Sequence, residues 1–218
     1  MNNQNTLEQM KQMKLYGMYE AFKTAVQSGL GNDLTQDQFI AQLIAHEQDD
    51  RKHRKFKRLV NNARFRYQGA LEDVIYSDER NLHKLELLRL TQCTFIDKAE
   101  NVLITGSTGV GKSYIASAIG YHACSLDYKV GYYNTSRLIS ALKLAKASGN
   151  YLRETTKIQR MDLIILDDYG LQSLDKEARM ILMDIIEDRH ERKSTMITSQ
   201  LPVAAWYDII GEKTHADA

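Results

Sequence analysis

This sequence of 218 residues has little of what marks secreted, membrane-spanning or metal-binding proteins. Its only two cysteines, Cys93 and Cys124, lack CxxC spacing and paired histidines, so we expect reduced thiols rather than a disulfide framework or a metal site. No apolar run approaches the roughly 18 residues that a membrane span needs. The N-terminus MNNQNTLEQMKQMK lacks the apolar core of a signal peptide. These absences predict a cytoplasmic protein that has no membrane partner.

Proline is almost absent as well, and none occurs in residues 1–67. Apolar residues recur there at helical spacing over residues 6–27, until Gly29 interrupts the pattern. Thr35 followed by Gln38 fits a capping box, which predicts that a second helix starts at this point. We therefore predict a small all-helical N-terminal domain over residues 1–67.

Four short apolar segments alternate with helix-like segments in the second half of the chain. The predicted strands span residues 101–106, 129–135, 162–168 and 194–200. This alternation predicts βαβ units and therefore an α/β fold, with a parallel sheet flanked by helices. Residues 68–100 contain one helix-like run and form a transition between the N-terminal domain and a core over residues 101–218.

The stretch GSTGVGKS at residues 106–113 fits the phosphate-loop pattern G-x-x-x-x-G-K-[ST] without departure. Its glycines let backbone N–H groups wrap a polyphosphate, and a helix starting near Lys112 turns its free N–H groups toward the anion. Lys112 is expected to reach the β- and γ-phosphates, and the Ser113 hydroxyl to ligate Mg²⁺. The predicted nucleotide-binding residues are Gly106, Ser107, Thr108, Gly109, Val110, Gly111, Lys112, Ser113 and Tyr114. The alternative, a glycine-rich turn, is disfavoured because a strand precedes the motif and a helix follows it.

Two adjacent aspartates, Asp167 and Asp168, end the third apolar segment, LIILDD. A phosphate loop needs an acid at the end of a neighbouring strand to hold Mg²⁺, and Asp167 is the candidate, with Ser113 as the second metal ligand. Asp168 is expected to point elsewhere and to orient the attacking water. The alternative, in which both aspartates are turn residues that cap the next segment, leaves the phosphate loop without its acid.

The fourth predicted strand ends in three polar residues, Thr198, Ser199 and Gln200. If this strand lies between the first and third strands, its carboxyl end reaches the γ-phosphate, because open α/β sheets bind ligands at the carboxyl ends of their strands. The candidate catalytic residues are therefore Lys112, Asp168, Ser199 and Gln200. An ordinary polar strand end is the alternative.

A basic segment without any acid, RKHRKFKRLVNNARFRY, covers residues 51–67, although the net charge of the whole chain is only +1. The candidate DNA-binding residues in it are Arg51, Lys52, Arg54, Lys55, Lys57, Arg58, Arg64 and Arg66. Such a cluster releases counterions from a phosphate backbone and gives sequence-independent binding. The alternative is a basic surface that binds nothing.

Five segments spread over nearly the whole chain carry a family resemblance. They are TLEQMKQMKLYGM, NVLITGSTGVGKS, DLIILDDYGL, RHERKSTMITSQLPVAAW and GEKTHADA. Together they resemble the IstB-type transposition helper ATPases, AAA+ proteins encoded by insertion sequences and related to the helicase loader DnaC and the initiator DnaA. The resemblance implies a five-stranded parallel sheet, ATP and Mg²⁺ as cofactors, ATP-dependent self-association on double-stranded DNA, and a transposase as partner. It also implies that Ser199 and Gln200 lie near the sensor position and that Arg189 faces a neighbouring subunit.

Two departures from the family pattern bear on hydrolysis. AAA+ enzymes commonly have glutamate where this chain has Asp168; IstB-like proteins tend to have aspartate there, and the shorter side chain predicts slow turnover. The chain ends at HADA, where the family continues through an Asp-Arg pair, and His215 replaces an apolar residue. We therefore expect a core truncated at its C-terminus, without the arginine that completes a neighbouring site and is worth roughly 10³-fold or more in related systems.

The function that these features predict is an ATP-dependent helper of transposition, which assembles on duplex DNA and directs a transposase to target sites. A DnaC-like helicase loader is one alternative, and a preference for single-stranded DNA favours it. A nucleotide-gated DNA-binding scaffold with little turnover is another, since the finger arginine is not visible. A P-loop kinase of small molecules fits poorly, because the N-terminal segment is helical and basic and no lid with substrate-binding arginines is visible.

Overall fold

The computed structural model describes residues 3–29, 34–75 and 82–206. Internal contacts divide the chain into two compact units, Met1–Arg58 and Leu59–Ala218. The sequence analysis places the end of the N-terminal domain at residue 67, a boundary that stays a prediction. Within the described ranges, no helix is long and apolar enough to cross a membrane.

The described part of the first unit is helical. Its elements are α1 (Asn3–Gln12), α2 (Tyr16–Ser28) and most of α3 (Gln36–Ala63). Reciprocal hydrogen bonds confirm the predicted capping box at the start of α3. The Thr35 N–H donates to Gln38 Oε1 over 3.0 Å, and the Gln38 N–H donates to Thr35 Oγ1 over 3.3 Å. Gly29 ends α2 in the left-handed conformation, with φ of 72°.

The prediction of one unbroken helix over residues 6–27 is wrong, because α1 ends at Gln12 and Lys14 adopts a positive φ of 59°. The new helix α2 begins where a buried acid from α3 can cap it. Glu47 Oε2 accepts the N–H of Gly17 over 2.8 Å and the N–H of Met18 over 3.2 Å. These N–H groups lie in the first turn of α2, where they have no acceptor within the helix itself. Their partner lies about 30 residues further along the chain, so helical spacing alone does not reveal this break.

The second unit contains a four-stranded parallel sheet in the order β1-β4-β3-β2. Its strands are β1 (Val102–Thr105), β2 (Val130–Asn134), β3 (Leu163–Tyr169) and β4 (Ser194–Ser199). All four predicted strands are confirmed to within about one residue at each end. The family resemblance implies five strands, and the described residues form four.

Helices cover both faces of this sheet. They are α4 (Lys84–Thr91), α5 (Thr94–Asp97), α6 (Lys112–Ser125), α7 (Thr135–Ala147), α8 (Tyr151–Gln159) and α9 (Lys176–Arg189), with short 3₁₀ turns at Leu71–Asp73 and Val203–Ala205. On one face, Ile164 and Leu166 pack in a core cluster with side chains of α7, α8 and α9. On the other, Ile165 lies against Gly120 of α6. This alternation along β3 is the pattern expected of a strand buried on both faces.

The order of the strands brings the predicted functional segments to one edge of the sheet. β4 lies between β1 and β3, which is the arrangement that the sequence analysis required. At the carboxyl ends, Thr105 is paired with Ser199, and Asn134 is paired with Asp167. Ligands of open α/β sheets bind at this edge.

Arg189 at the end of α9 lies inside the second unit, so the expectation that it faces a neighbouring subunit is wrong. Its exposed fraction is 2%. The guanidinium donates five hydrogen bonds, to the carbonyls of Ile158, Met161, Asp162 and Ser194 and to Thr195 Oγ1. Burial lowers the pKa of Arg189 to about 10. Such a guanidinium holds loops and strand ends together, because each buried carbonyl needs a donor.

Candidate functional site

The phosphate loop connects β1 to α6. Gly106, Gly109 and Gly111 have φ values of 153°, 85° and 91°, a region that side chains with a Cβ rarely occupy. Helix α6 begins at Lys112, as predicted. The free N–H groups of its first turn therefore lie next to the loop, where they suit an anion.

Lys112 is held within its own loop. Its ammonium nitrogen donates to the carbonyl oxygens of Gly106 over 2.7 Å and of Ser107 over 2.8 Å. The residue is largely buried, with an exposed fraction of 8%. A buried ammonium needs such partners, and a phosphate that replaces the carbonyls would offer stronger, charged acceptors.

A cavity of about 470 Å³ opens beside the loop. Its lining comprises Arg66, Tyr67, Thr108, Gly109, Gly111, Lys112, Ser113, Tyr114, Asp168, Leu171 and Gln200. The cavity therefore brings together six predicted nucleotide-binding residues of the loop and α6 and two further predicted catalytic residues, Asp168 and Gln200. Its size is in the range of small-molecule sites.

The carboxylate of Asp167 is completely buried and is held by hydroxyl groups. Ser113 Oγ donates to Asp167 Oδ1 over 2.8 Å. The Thr198 hydroxyl donates to the same oxygen, and the Tyr132 hydroxyl donates to Oδ2. Burial, and next the hydrogen bond to Asp167, raise the pKa of Tyr132. All three partners are neutral, so they satisfy the carboxylate oxygens without neutralising a charge.

Asp168 occupies an irregular point of β3. It has φ of 60°, and the pairing of β3 with β4 shifts register between Leu166 and Tyr169. Adjacent side chains of a regular strand point to opposite faces, and a bulge can redirect one of them. Here Arg66 Nη1 lies 3.2 Å from Asp168 Oδ2 and 3.5 Å from Asp167 Oδ2. The two carboxylates thus converge on one guanidinium, whereas the sequence analysis expected Asp168 to point elsewhere.

The residues around Asp167 fit Mg²⁺. The Ser113 hydroxyl and the Asp167 carboxylate are hard oxygen donors and lie in direct contact. The described ranges hold no group of three or more His, Cys, Asp or Glu residues that could bind a metal alone. Mg²⁺ is commonly held by one or two carboxylates together with substrate phosphates, rather than by a cage of protein ligands.

The two predicted sensor residues have different surroundings. Gln200 lines the cavity, and its Oε1 accepts a hydrogen bond from Thr108 Oγ1 over 2.6 Å. Ser199 is buried, and its hydroxyl donates to the carbonyl of Tyr169 over 2.9 Å while accepting the N–H of Leu201. The structure therefore brings Gln200, but not the Ser199 hydroxyl, next to the phosphate loop.

The predicted DNA-binding residues also divide into groups. In α3, Arg51 pairs with Glu47 and Arg54 pairs with Asp50, both over 2.7 Å. The other predicted residues of the segment that are exposed are Lys52, Lys55, Lys57, Arg58 and Arg64, apart from Arg66. Arg66, by contrast, lies at the cavity beside the aspartates.

The sequence analysis did not assign several residues that touch the aspartates. Asn134 Nδ2 donates to Asp168 Oδ2 over 3.2 Å. Its place at the end of a predicted strand was a usable signal, because strand ends in parallel sheets carry ligands. Tyr132 lies inside the same strand, and Arg66 lies about 100 residues before the aspartates. No local pattern links either of them to the site.

A phosphate loop after β1, a buried aspartate at the end of β3 and the strand order β1-β4-β3-β2 define a P-loop nucleotide-binding protein. The family model described as IstB-like ATP binding protein matches residues 8–218, and the chain belongs to this family. A protein of Sinorhizobium fredii (strain NBRC 101917 / NGR234) named insertion sequence ATP-binding protein y4pL is 40% identical, over 98% of this chain and 87% of its own. The insertion sequence IS1162 ATP-binding protein of Pseudomonas fluorescens is 35% identical, over 93% of this chain and 88% of its own.

Solved structures show the same fold at low identity. The DnaC helicase loader aligns with a TM-score of 0.57 and 22% identity, over 74% of this chain and 93% of its own. DnaA of Aquifex aeolicus bound to AMPPCP aligns with a TM-score of 0.61 and 17% identity, over 71% of this chain and 48% of its own. The fold is therefore the AAA+ fold of DnaC and DnaA. The expected truncation at the C-terminus, together with His215, lies outside the described residues.

Proposed function

We propose that this protein is an ATP-dependent helper of transposition that assembles on duplex DNA, directs a transposase to target sites and hydrolyses ATP slowly to ADP and phosphate. The observation that carries this proposal is the contact of Ser113, on the phosphate loop, with the buried Asp167 on the neighbouring strand. Membership of the IstB-like family and the names of the insertion-sequence relatives supply the biological setting.

The nucleotide site works by placing fixed positive and partial positive charge around the phosphates. The backbone N–H groups of the loop and of the first turn of α6 bind the phosphate oxygens. Lys112 leaves the carbonyls of Gly106 and Ser107 and pairs with the β- and γ-phosphates. Ser113 and Asp167 would hold Mg²⁺, which would supply positive charge against the phosphates.

Hydrolysis requires a positioned water. Asp168 lines the cavity and is the carboxylate that orients this water, with Asn134 fixing one of its oxygens. Gln200 is the candidate sensor of the γ-phosphate, because it already bonds Thr108 of the phosphate loop. Ser199 acts through the backbone at the end of β4. Slow turnover is expected because Asp168 is shorter than the glutamate common in AAA+ enzymes.

Duplex DNA is the proposed second ligand. The exposed basic residues of α3 carry this role, namely Lys52, Lys55, Lys57 and Arg58. Their contacts with phosphates release counterions and give affinity that depends steeply on salt. Arg51 and Arg54 contribute less, because each is already paired with an acid of α3. ATP-dependent self-association would place many such surfaces along one duplex and multiply weak contacts.

The test measures binding of a fluorescently labelled duplex by anisotropy, with and without ATP and Mg²⁺. The parent protein is compared with Lys112→Ala and with a control, Lys98→Ala. Lys98 is an exposed lysine outside the site, so the control changes the net charge by the same amount. We expect ATP to tighten binding in the parent protein and in Lys98→Ala but not in Lys112→Ala. Binding that is indifferent to both nucleotide and Lys112→Ala would contradict the proposal. A preference for single-stranded DNA would instead indicate a helicase-loader function.

A further inference from the structure

Arg66 is the cation closest to the aspartate pair among the described residues. Its Nη1 lies 3.2 Å from Asp168 Oδ2 and 3.5 Å from Asp167 Oδ2, so one guanidinium nitrogen faces both carboxylates. The other groups that touch Asp167 are neutral hydroxyls. Among the described residues, the two negative charges of the pair therefore face the single positive charge of Arg66 at short range.

The ion pair between Arg66 and the aspartates can break, because Arg66 is its exposed partner. The Arg66 side chain is 50% exposed, whereas the side chain of Asp167 is 1% exposed. Exposed ion pairs are weak, because water solvates the released guanidinium almost as well as the carboxylate does. Arg66 can therefore swing into solvent while the aspartates stay in place, held by the sheet and by their hydroxyl partners.

Arg66 and a divalent cation compete for the negative charge of Asp167 and Asp168. Two positive groups that face the same pair of carboxylates repel each other, and the cavity lining holds Arg66 together with Ser113, the predicted metal ligand. Arg66 also comes from the segment just after α3, not from the phosphate loop or the sheet. Its neighbours Phe65 and Tyr67 pack against Tyr132 and Tyr114, so the movement is that of the exposed Arg66 side chain alone.

We infer that Arg66 is the counterion of Asp167 and Asp168 in the nucleotide-free protein and that it lowers the affinity of this pair for a divalent cation. Arg66 leaves the aspartates when the metal–nucleotide complex binds, so it is a positioning residue that sets the order of binding. Free metal ion binds poorly while Arg66 is in place, and the negative charge of the triphosphate makes its release favourable. The inference rests on the proposed function, since it requires ATP and Mg²⁺ at this site.

The test measures binding of Mn²⁺, as a probe for Mg²⁺, to the nucleotide-free protein through loss of the free-ion EPR signal. We expect Arg66→Ala to tighten Mn²⁺ binding about threefold or more, the scale of one exposed ion pair. Arg66→Lys keeps the charge and should stay closer to the parent protein. Arg153→Ala, which removes an exposed arginine of α8, controls for the change in net charge and should leave Mn²⁺ affinity unchanged. Asp167→Asn should remove the site.

Two results overturn the inference. Mn²⁺ affinity that is unchanged or weaker in Arg66→Ala means that Arg66 is not a competing counterion. Equal tightening in Arg153→Ala means that net charge alone explains the effect. Binding of a fluorescent ATP analogue in Mg²⁺ buffer separates the proposed function from this inference. If the parent protein does not bind the analogue, or if Lys112→Ala binds it equally well, the proposed function fails and the inference fails with it.

Discussion

Two buried carboxylates, Glu47 in the first unit and Asp167 in the second, have opposite kinds of partners. Glu47 is 5% exposed, and its Oε1 lies 2.7 Å from Arg51 Nε and 3.7 Å from Arg54 Nη2. Its other oxygen accepts two backbone N–H groups of α2. Asp167 is fully buried, and its hydrogen-bond donors are hydroxyls. Both carboxylates have hydrogen bonds, but only Glu47 accepts one from a guanidinium, whereas the guanidinium nearest to Asp167 lies 3.5 Å from its carboxylate.

This difference separates a structural acid from a ligand-binding one. Glu47 is saturated by its own chain, so it stabilises the fold and leaves nothing for a ligand. Asp167 keeps much of its charge, which costs stability in a buried place and attracts a cation. The cation nearest to it is a half-exposed arginine, Arg66. A buried acid held by neutral donors is therefore a better sign of a metal site than burial alone.

The largest expected effect is that of Asp167→Asn. The amide keeps the shape of the side chain and can re-pair with hydroxyls, which both donate and accept hydrogen bonds. It loses the charge that we propose holds Mg²⁺, so we expect ATP turnover to fall roughly 100-fold or more, since a metal ion supplies several kcal/mol to phosphoryl transfer. The measurement is steady-state ATPase activity at saturating Mg²⁺, together with thermal unfolding.

Asp162→Asn is the matched control for that experiment. Asp162 lies just before β3 and pairs with Lys193 over 2.5 Å, so its role is structural like that of Glu47. We expect this variant to lose some stability and to keep its ATP turnover. Equal losses of turnover in Asp162→Asn and Asp167→Asn would break the distinction between the two kinds of acid.

Glu47→Gln should affect the first unit and spare the nucleotide site. Both N–H groups at the start of α2 bond the same carboxylate oxygen, so the single oxygen of glutamine can face either these groups, as a weaker neutral acceptor, or Arg51, but not both. We expect a loss of about 1–3 kcal/mol in the protection of the Gly17 and Met18 amides, measured by hydrogen exchange. Exposed Asp49→Asn is the control, and ATP affinity should not change in either variant. A weaker ATP affinity in Glu47→Gln would contradict the comparison.

Tyr132→Phe removes one neutral donor from Asp167 and tests how much these hydroxyls matter. The loss of the buried hydrogen bond is expected to lower the free energy of unfolding by about 0.5–1.5 kcal/mol. Tyr133→Phe is the matched control, since Tyr133 is the next residue and is partly buried against the core cluster. A urea titration of the three proteins gives the values. An equal loss of unfolding free energy in the two variants would mean that the hydrogen bond to Asp167 adds no measurable stability.

The elements that the sequence predicts well are those specified by local chemistry. The phosphate loop, the start of α6 at Lys112 and the capping box at Thr35 each depend on residue types within a few positions of one another. The position of β4 between β1 and β3 was only the condition for placing its polar end at the γ-phosphate, and the strand order meets that condition. For the loop, the helix start and the capping box, the residues that form the sequence pattern are the same residues that determine the local structure.

The features that the sequence does not reveal depend on contacts between distant residues. The break between α1 and α2 depends on Glu47, and the surroundings of the aspartates depend on Tyr132 and Arg66. Helix α8 is missed for a different reason, since it has only nine residues and two of them are threonines, which disfavour helix. The basic segment shows that composition alone does not predict the role of a residue. Some of its residues pair with acids, some face solvent, and Arg66 reaches the cavity.

The smallest expected effect is a change with pH, and it concerns Glu47. Burial by itself raises the pKa of Glu47, but the hydrogen bonds from Arg51 and from the N–H groups of Met18 and Gly17 lower it below the ordinary value of 4.5. A lowered pKa in the folded state means that the stabilisation is complete above the unfolded pKa and is lost as the pH falls through the folded pKa. The difference in unfolding free energy between the parent protein and Glu47→Gln should therefore be constant near neutral pH. It should shrink as the pH falls below about 4.5, and a difference that stays constant through that range would show that Glu47 does not act through its charge.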